Sequence, residues 1–123
     1  MPQNIEKLLI HKSKTVKQAM RQMNELGKKE LYVIADDHTL FGSLSDGDVR
    51  KWILKEGSLE GPVSGICNLF PKTVKQGYDL EEVKQLMLTF KIESVPLVNE
   101  RHLIQEILYW DDVFAGKVAR CRE

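Results

Sequence analysis

The chain has 123 residues, with 18 basic and 18 acidic side chains and therefore no formal net charge. This balance excludes an overall electrostatic field that would recruit nucleic acid or an anionic membrane. No apolar run approaches the roughly 20 residues that span a bilayer, and the N-terminus lacks a signal-peptide pattern. Cys67 and Cys121 lie far apart, with no C-x-x-C and no histidine cluster at metal spacing. We expect a cytoplasmic domain with one core, two reduced structural thiols and no metal.

The first half of the chain alternates helical and strand patterns. Leu8 to Ile10 is an apolar run that fits a strand or one turn of helix. Thr15 and Gln18 match a capping box, and Gly27 stands where a helix that began there would end. Further on, the pattern predicts strands 31–35 and 40–44 joined as a hairpin by the turn 36–38, a helix from Asp46 to about 56 ended by Gly57, and a loop 58–70 with a helical turn at 63–68.

The second half repeats this order. Asp79 and Glu82 match another capping box, followed by a helical stripe that ends at Phe90. A strand 95–98 contains Pro96, which favours an edge position or a strand start because proline has no N–H. A turn at 99–102, a strand 103–108 and a last helix containing Asp112 to Phe114 and Val118 complete the pattern. The residues 119–123 are polar, and we expect them to fray or to begin a linker.

The two halves align without a gap at an offset of 64 residues, from Thr15 and Asp79 to Val49 and Val113. Few residues are identical, but the apolar positions of helix, strand, turn, strand and helix all stay in register. Each half alone would leave one sheet face in water, so we expect the halves to pack as an internal dimer with pseudo-twofold symmetry. The expected segments are a lead-in 1–14, a first repeat 15–56, a connection 57–71, a second repeat 72–118 and a tail 119–123.

Ser45 and Asp48 stand at the entry to the helix of the first repeat. A hydroxyl followed three residues later by a carboxylate is typical of a capping box, in which each side chain satisfies a backbone N–H. The alternative is a small-molecule site, because a carboxylate can accept hydrogen bonds from two ribose hydroxyls beside a helix N-terminus that suits phosphate. The spacing alone does not separate the two interpretations.

These motifs resemble a tandem pair of CBS (cystathionine-β-synthase-type) domains, the Bateman module. The family's ribose motif, Gly-x-hydrophobic-Thr/Ser-x-x-Asp, is matched by Gly42-Ser43-Leu44-Ser45-Asp46-Gly47-Asp48, and the strand Ile92 to Val98 resembles its "hydrophobic-x-x-x-Pro-Val-Val" strand. The stretch Ser45 to Lys51 is similar to the "T-D-G-D-I-R-R" signature of CBS pairs attached to sugar nucleotidyltransferases, and Ile66 to Pro71 resembles their "V-M-N-x-x-P". The resemblance implies an α+β fold of two β-α-β-β-α repeats.

The resemblance also implies a regulatory adenine-nucleotide site, for AMP, ADP or ATP, in the cleft between the repeats, with no required cofactor. Ser45 and Asp48 would hold the ribose, and Arg50 or Lys51 would reach phosphate unless they only form a solvated helix face. The base would lie between Lys14-Thr15 and the strand Leu31-Tyr32-Val33. The ligand contacts implied in this way are Gly42, Ser45, Asp46, Asp48, Lys14, Thr15, Tyr32 and Arg50.

The second repeat departs from the motif. At the same offset Gly42 becomes Glu106 and Ser45 becomes Tyr109, so that only the aspartate is kept, as Asp112. Glu106 adds a charge that would repel phosphate, and Tyr109 is too large to copy the serine contact, although its ring can stack on a base. Asp112 is then a ribose ligand or a structural helix-start residue. The remaining candidates for this second site are Lys72, Thr73 and Pro96.

Three functions are compatible with these observations to different degrees. The first is a regulatory nucleotide-binding module, attached to or associated with an enzyme such as a nucleotidyltransferase C-terminal to it. The second is a ligand-free structural or dimerisation module, and CBS pairs commonly form homodimers through helical faces, for which Trp52 and Phe114 are candidate contacts if they do not pack inward. The third, an enzyme in its own right, is disfavoured because the sequence shows no nucleophile–base–orienter arrangement. His38 and His102 fall in turns, and we expect exposed turn residues there rather than phosphate ligands or a pH switch.

Overall fold

The computed structural model describes residues 4–116. The chain divides into two compact units, of which the first ends at Pro71 and the second begins at Lys72. The predictions for Val118, Cys121 and the tail 119–123 lie outside the described residues. Within them, no helix is long and apolar enough to cross a membrane.

The first unit contains a three-stranded sheet and two α-helices. Its elements are a 3₁₀ turn Ile5–Leu8, β1 Leu9–His11, α1 Val16–Leu26, β2 Glu30–Ile34, β3 Leu40–Ser45, α2 Asp46–Leu54 and a 3₁₀ turn Val63–Gly65. The sheet order is β1-β2-β3, with β1 parallel to β2 and β2 antiparallel to β3. The predicted hairpin is therefore confirmed. The helical turn predicted at 63–68 is present as the shorter 3₁₀ turn Val63–Gly65, and the run Leu8 to Ile10 is split between a 3₁₀ turn and a strand.

The second unit repeats this order with shorter outer elements. Its elements are β4 Val74–Lys75, α3 Leu80–Phe90, β5 Ser94–Val98, β6 Ile104–Tyr109 and α4 Trp110–Phe114. The sheet order β4-β5-β6 again combines one parallel and one antiparallel pair. The predicted α+β class, with the β-α-β-β-α order in each half, is confirmed.

Each unit has its own hydrophobic cluster. In the first unit, helix and strand residues such as Val16, Leu31 and Leu44 are fully buried together. In the second unit, Met87 and Leu108 belong to the corresponding cluster. The helix period of 3.6 residues and the strand period of 2 residues each place apolar side chains on one face of their element. The apolar stripes of the helices therefore pack against the apolar face of the sheet.

Helix ends differ from the sequence predictions at two places. α2 ends at Leu54, and Glu56 rather than Gly57 takes the left-handed conformation, with φ of 63°. Gly57 is required for another reason: an added Cβ would lie 2.1 Å from the Trp52 ring, which packs against the first core. At the start of α3, Asp79 accepts a hydrogen bond from the Glu81 N–H, and the reciprocal bond of a capping box is not formed, so that prediction for Glu82 is wrong.

Pro96 lies in a central strand rather than at an edge, and the edge prediction is also wrong. Its neighbours explain how a proline is tolerated there. In the first unit the parallel pairing begins at Leu9 and Tyr32, whereas in the second it begins one position later, at Val74 and Leu97. Because β4 is parallel to β5 and its pairing begins at Leu97, no residue of β4 lies opposite Pro96, and the missing N–H breaks no ladder bond on that side.

Candidate functional site at the start of α2

The end of β3 and the first turn of α2 position the predicted ribose contacts. Ser45 has extended backbone angles, and its Oγ accepts a hydrogen bond of 3.1 Å from the Asp48 N–H. Asp48 Oδ2 accepts one of 2.9 Å from the Ser45 N–H. The Asp46 N–H donates to the Lys29 carbonyl at 2.8 Å, which ties the start of the helix to the α1–β2 loop. The capping-box interpretation of Ser45 and Asp48 is therefore confirmed.

The capping box does not use all of the polar capacity of these two side chains. Asp48 is bound through Oδ2, and within residues 4–116 its second oxygen, Oδ1, makes no hydrogen bond. The Ser45 hydroxyl accepts at Oγ and keeps its own proton for donation. Both residues are partly exposed. An oriented carboxylate oxygen beside a hydroxyl complements a vicinal diol, whose hydroxyl groups both donate and accept.

Two charged side chains of α2 interact with each other. The Arg50 guanidinium forms an ion pair with Asp46 one helical turn earlier. Both side chains are largely exposed, so the pair contributes little stability, about 0.3–0.5 kcal/mol. A guanidinium has five N–H donors, and one carboxylate does not occupy all of them. Arg50 therefore keeps donors that can face an anion.

Gly42 is close to another part of its own chain. An added Cβ would lie 2.5 Å from the Asn68 carbonyl oxygen and 2.9 Å from Cys67 Sγ. The cause is a pair of backbone hydrogen bonds of 2.8–2.9 Å that join Ser43 and Asn68 along the edge of β3. Close approach of the connection therefore suffices to explain the small residue at this position.

Cys67 lies close to Gly42 and to Asp48. Burial raises the pKa of its thiol, and the nearby Asp48 carboxylate raises that pKa further. A raised pKa keeps the group as the neutral thiol at neutral pH, which makes it a poor nucleophile and a poor metal ligand. This agrees with the structural role expected for the first of the two cysteines.

The predicted base contacts lie elsewhere in the first unit. Lys14 and Thr15 follow β1, whose last residue pairs with Ile34, whereas Ser45 pairs with Glu30 at the other end of β2. The two ends of β2 are about 13 Å apart at 3.3 Å per residue. Thr15 forms a complete capping box with Gln18, and the Lys14 carbonyl accepts from the Val63 N–H at 2.8 Å.

The remaining base contact, Tyr32, is in the middle of β2. Its side chain is only 2% exposed. The base contacts Lys14, Thr15 and Tyr32 stay predictions.

The corresponding turn of the second unit has no such oriented pair. Tyr109 precedes α4 and makes no side-chain cap bond. Asp112 is exposed and makes no hydrogen bond or ion pair with any other residue in the described range 4–116. Lys72 has its Nζ 4.1 Å from the centre of the Phe90 ring, Thr73 is partly exposed, and Pro96 is buried in β5.

The two candidate dimer contacts are only partly available. Trp52 packs against the first core and donates from Nε1 to the Ser58 carbonyl at 2.8 Å. Phe114 is 39% exposed and contacts Trp110, with ring centres 4.3 Å apart. The inward alternative therefore holds for Trp52.

One arrangement was missed by sequence reasoning. The sequence showed no nucleophile, base and orienting carboxylate, but the structure places Ser13 Oγ 2.7 Å from His11 Nδ1 and Asp36 Oδ1 2.7 Å from His11 Nε2. His11 and Ser13 are two residues apart, which is a visible signal. Asp36 is 25 positions away and meets His11 only because β1 pairs with the end of β2.

Comparison with known proteins shows which family model and which solved structures this chain resembles. Residues 6–55 match the family model of the CBS domain. The CBS domains of a transcriptional regulator from Streptococcus pneumoniae superpose with a TM-score of 0.79 at 16% identity, over 94% of this chain and 93% of that one. Residues 6–55 are therefore similar to the CBS domain, and the chain has the fold of a tandem CBS domain pair.

Two further similar structures contain bound nucleotides. CBSX2 in complex with AMP has a TM-score of 0.76 and 26% identity, over 88% of this chain and 84% of that one. The cytosolic domain of the Mg²⁺ channel MgtE in complex with ATP has a TM-score of 0.75 and 24% identity, over 89% of this chain and 44% of that one.

Curated relatives are longer proteins. A Helicobacter pylori protein (strain J99) is 33% identical over 102 residues, which is 82% of this chain and 31% of that protein. The arabinose 5-phosphate isomerase GutQ of Salmonella typhimurium is 29% identical over 104 residues, which is 85% of this chain and 32% of GutQ. The chain thus spans about a third of these relatives. The named enzyme is a sugar-phosphate isomerase, so it gives no support to the narrower resemblance to nucleotidyltransferase-linked pairs.

Proposed function

We propose that this chain is a regulatory module that binds an adenine nucleotide, with the ribose held at the start of α2. The observation that carries the proposal is the oriented Ser45–Asp48 pair. The capping box fixes the Asp48 carboxylate through one oxygen, and the other oxygen is left for a ligand. An acceptor that is already ordered loses less conformational entropy on binding than a freely rotating side chain.

The proposed roles follow from the chemistry of each group. Asp48 Oδ1 accepts from the ribose hydroxyls, the Ser45 hydroxyl donates to one of them, and Arg50, held by Asp46, faces the phosphate. Lys14, Thr15 and Tyr32 stay predicted base contacts that rest on the family resemblance. We include no ribose contact at Asp112, because Tyr109 lacks the serine hydroxyl and forms no cap that would orient the carboxylate.

Fold neighbours support the ligand class. CBSX2 and MgtE were solved with AMP and ATP respectively, and both share this fold over most of the present chain. The ligand panel should therefore include AMP, ADP and ATP, together with GTP, CMP and S-adenosylmethionine. A ligand at a hundredfold excess over its dissociation constant stabilises the folded chain by about 2.7 kcal/mol. This corresponds to a rise of several degrees in melting temperature for a chain of this size.

A matched pair of variants tests the site. Asp48→Asn keeps an oxygen for the Ser45 N–H but removes the charge, so we expect about tenfold weaker nucleotide binding by titration calorimetry. Asp112→Asn at the equivalent position of the second repeat should leave the affinity unchanged. Equal losses in both variants would remove Ser45–Asp48 as the site. A flat melting temperature across the whole panel would favour the ligand-free structural module instead.

We further propose that the module controls an enzyme that acts on a phosphorylated sugar. The similarity of Ser45 to Lys51 to nucleotidyltransferase-linked pairs suggests one such enzyme, and GutQ is a sugar-phosphate isomerase. Assaying the product of the parent reading frame with sugar phosphates, with and without the bound nucleotide, tests this step.

Sedimentation of the same samples tests the predicted homodimer, for which Leu54, 77% exposed on α2, is a better contact than Trp52. A cytoplasmic location stays a prediction.

A further inference from the structure

The cluster of His11, Ser13 and Asp36, here called the Ser13 cluster, is separate from the proposed nucleotide contacts at the start of α2. His11 ends β1, Ser13 lies in the loop before α1, and Asp36 lies in the turn after β2. The imidazole is placed between the other two side chains, 2.7 Å from the serine oxygen at Nδ1 and 2.7 Å from the carboxylate at Nε2. A hydroxyl, an imidazole and a carboxylate in this order form a nucleophile, a base and an orienting group.

A backbone N–H of the cluster also contacts the imidazole and favours one tautomer of it. The Ser13 N–H donates to His11 Nδ1 at 3.1 Å, and a backbone N–H can only donate. These contacts match the neutral tautomer that has its ring proton on Nε2, donated to Asp36, and its lone pair on Nδ1. In this tautomer the Ser13 hydroxyl and the Ser13 N–H share Nδ1 as their acceptor. This is the tautomer that a base needs in order to take the proton of the serine.

The surroundings suit an anionic electrophile. Ser13 is exposed, so a reagent can reach it without any movement of the chain. Lys12 and Lys14 flank it in sequence, and Lys17 follows in the first turn of α1. These positive charges favour a phosphoryl group, whose oxygens carry negative charge. The Asp36 side chain is 83% exposed, so solvent screens its effect on the imidazole and the activation should be moderate.

We propose that Ser13 is an activated nucleophile and a site of covalent modification by phosphorus electrophiles. In the reaction with a fluorophosphonate, an Oγ–P bond forms, the P–F bond breaks and fluoride leaves. His11 Nδ1 takes the hydroxyl proton and later passes it to water, while Asp36 stabilises the protonated imidazole. The proposal does not depend on nucleotide binding.

The experiment is fluorophosphonate labelling of the full chain, followed by peptide mass spectrometry to give a rate for each serine. Ser58 is the internal control, because it is also exposed and its Oγ accepts from the Glu60 N–H, with no imidazole beside it. We expect Ser13 to react about 100-fold faster than Ser58, the lower end of the usual effect of a positioned base. Because both rates come from the same molecules, partial unfolding cannot imitate this ratio.

Two variants separate activation from a merely structural turn. His11→Gln retains a side chain that can hydrogen-bond but cannot take a proton, and it should reduce the Ser13 rate to that of Ser58. Asp36→Asn should give an intermediate rate, with melting temperatures recorded for both variants. Equal labelling of Ser13 and Ser58 in the original chain, or a Ser13 rate that His11→Gln leaves unchanged, would overturn the proposal.

Discussion

The two units share a backbone pattern more closely than a set of side chains. The hydrogen bond that ties the start of α2 to the preceding loop, from Asp46 N–H to Lys29 C=O, recurs 64 residues later from Trp110 to Glu93, each at 2.8 Å. The bulges also correspond, between Val33 and Ile34 and between Leu97 and Val98. A repeat can therefore keep its fold through backbone geometry and apolar positions while its polar residues change.

The units differ most where a ligand is proposed to bind. The first unit begins α2 with a complete capping box, whereas Tyr109 caps nothing with its side chain and Asp112 is exposed. The helix start and the proposed ligand site thus involve the same two side chains in the first unit, and in the second unit a helix begins without an equivalent capping box. The Ser45–Asp48 pair is consequently not obligatory for the fold, which strengthens the case for a binding role.

The largest effect is expected in the equivalent cores. Leu44 and Leu108 are identical residues at equivalent positions, 0% and 1% exposed. Leu44→Ala and Leu108→Ala should each lower the free energy of unfolding by about 2–5 kcal/mol, because each leaves a cavity. Urea denaturation measures both, with the exposed Leu54→Ala as a control that should change it by less than about 0.5 kcal/mol. A loss below about 1 kcal/mol at one site only would show that the two cores are packed differently.

A smaller effect should separate Gly42 from its counterpart Glu106. Gly42→Ala places a Cβ against the Asn68 carbonyl, so we expect a loss of about 1–3 kcal/mol. Gly65→Ala is the matched control, because its Cβ would meet nothing within 4 Å. Glu106→Ala, at an exposed position, should change stability by less than about 0.5 kcal/mol. An undiminished free energy of unfolding in Gly42→Ala would mean that the connection 66–68 moves away easily, and would restore ligand access as the reason for the glycine.

Much of the fold could be predicted because the apolar periods and the turn residues agree with each other. The helix Val16–Leu26 has a capping box, an apolar stripe and Gly27 at its end, and each signal is local. The second half shows the same pattern at an offset of 64 residues. Lys91 there adopts the left-handed conformation of Gly27 without being glycine, and the sequence did not predict this. The end of α2 could not be predicted, because Gly57 is required for contact with Trp52 and not for its backbone angle.

The candidate site was predicted less completely than the fold. The capping box at Ser45 is a local pattern and could be identified from spacing alone. Contacts between distant segments could not: the approach of Asn68 to Gly42 depends on the path of the connection, and that of Asp36 to His11 on strand register. Spacing identifies residues that share an element, whereas a site built from several elements requires the tertiary structure.

The smallest expected effect compares the two hairpin turns. His38 and His102 both have positive φ, 70° and 66°. The N–H group just before the next strand has a different acceptor in each turn. The Thr39 N–H donates to Asp37 Oδ1, and the Leu103 N–H donates to Asn99 Oδ1. Hydrogen bonds from the Thr39 hydroxyl and N–H lower the pKa of Asp37. A lowered folded-state pKa gives stabilisation that is present above the unfolded value, about 3.9, and is lost as the pH falls through the folded value.

The two turns should therefore respond differently to acid. As the pH falls through the lowered pKa of Asp37, the protection of the amide against exchange, measured by NMR relative to an unstructured peptide, should decrease at Thr39 and not at Leu103, because the Asn99 amide does not titrate in this range. Asp37→Asn should make the Thr39 amide as insensitive to pH as that of Leu103. An unchanged pH response of Thr39 in this variant would assign the effect to another carboxylate, of which the neighbouring Asp36 is the nearest in sequence. In that case the charge of Asp37 would contribute nothing to its turn, as the uncharged Asn99 contributes none to the other.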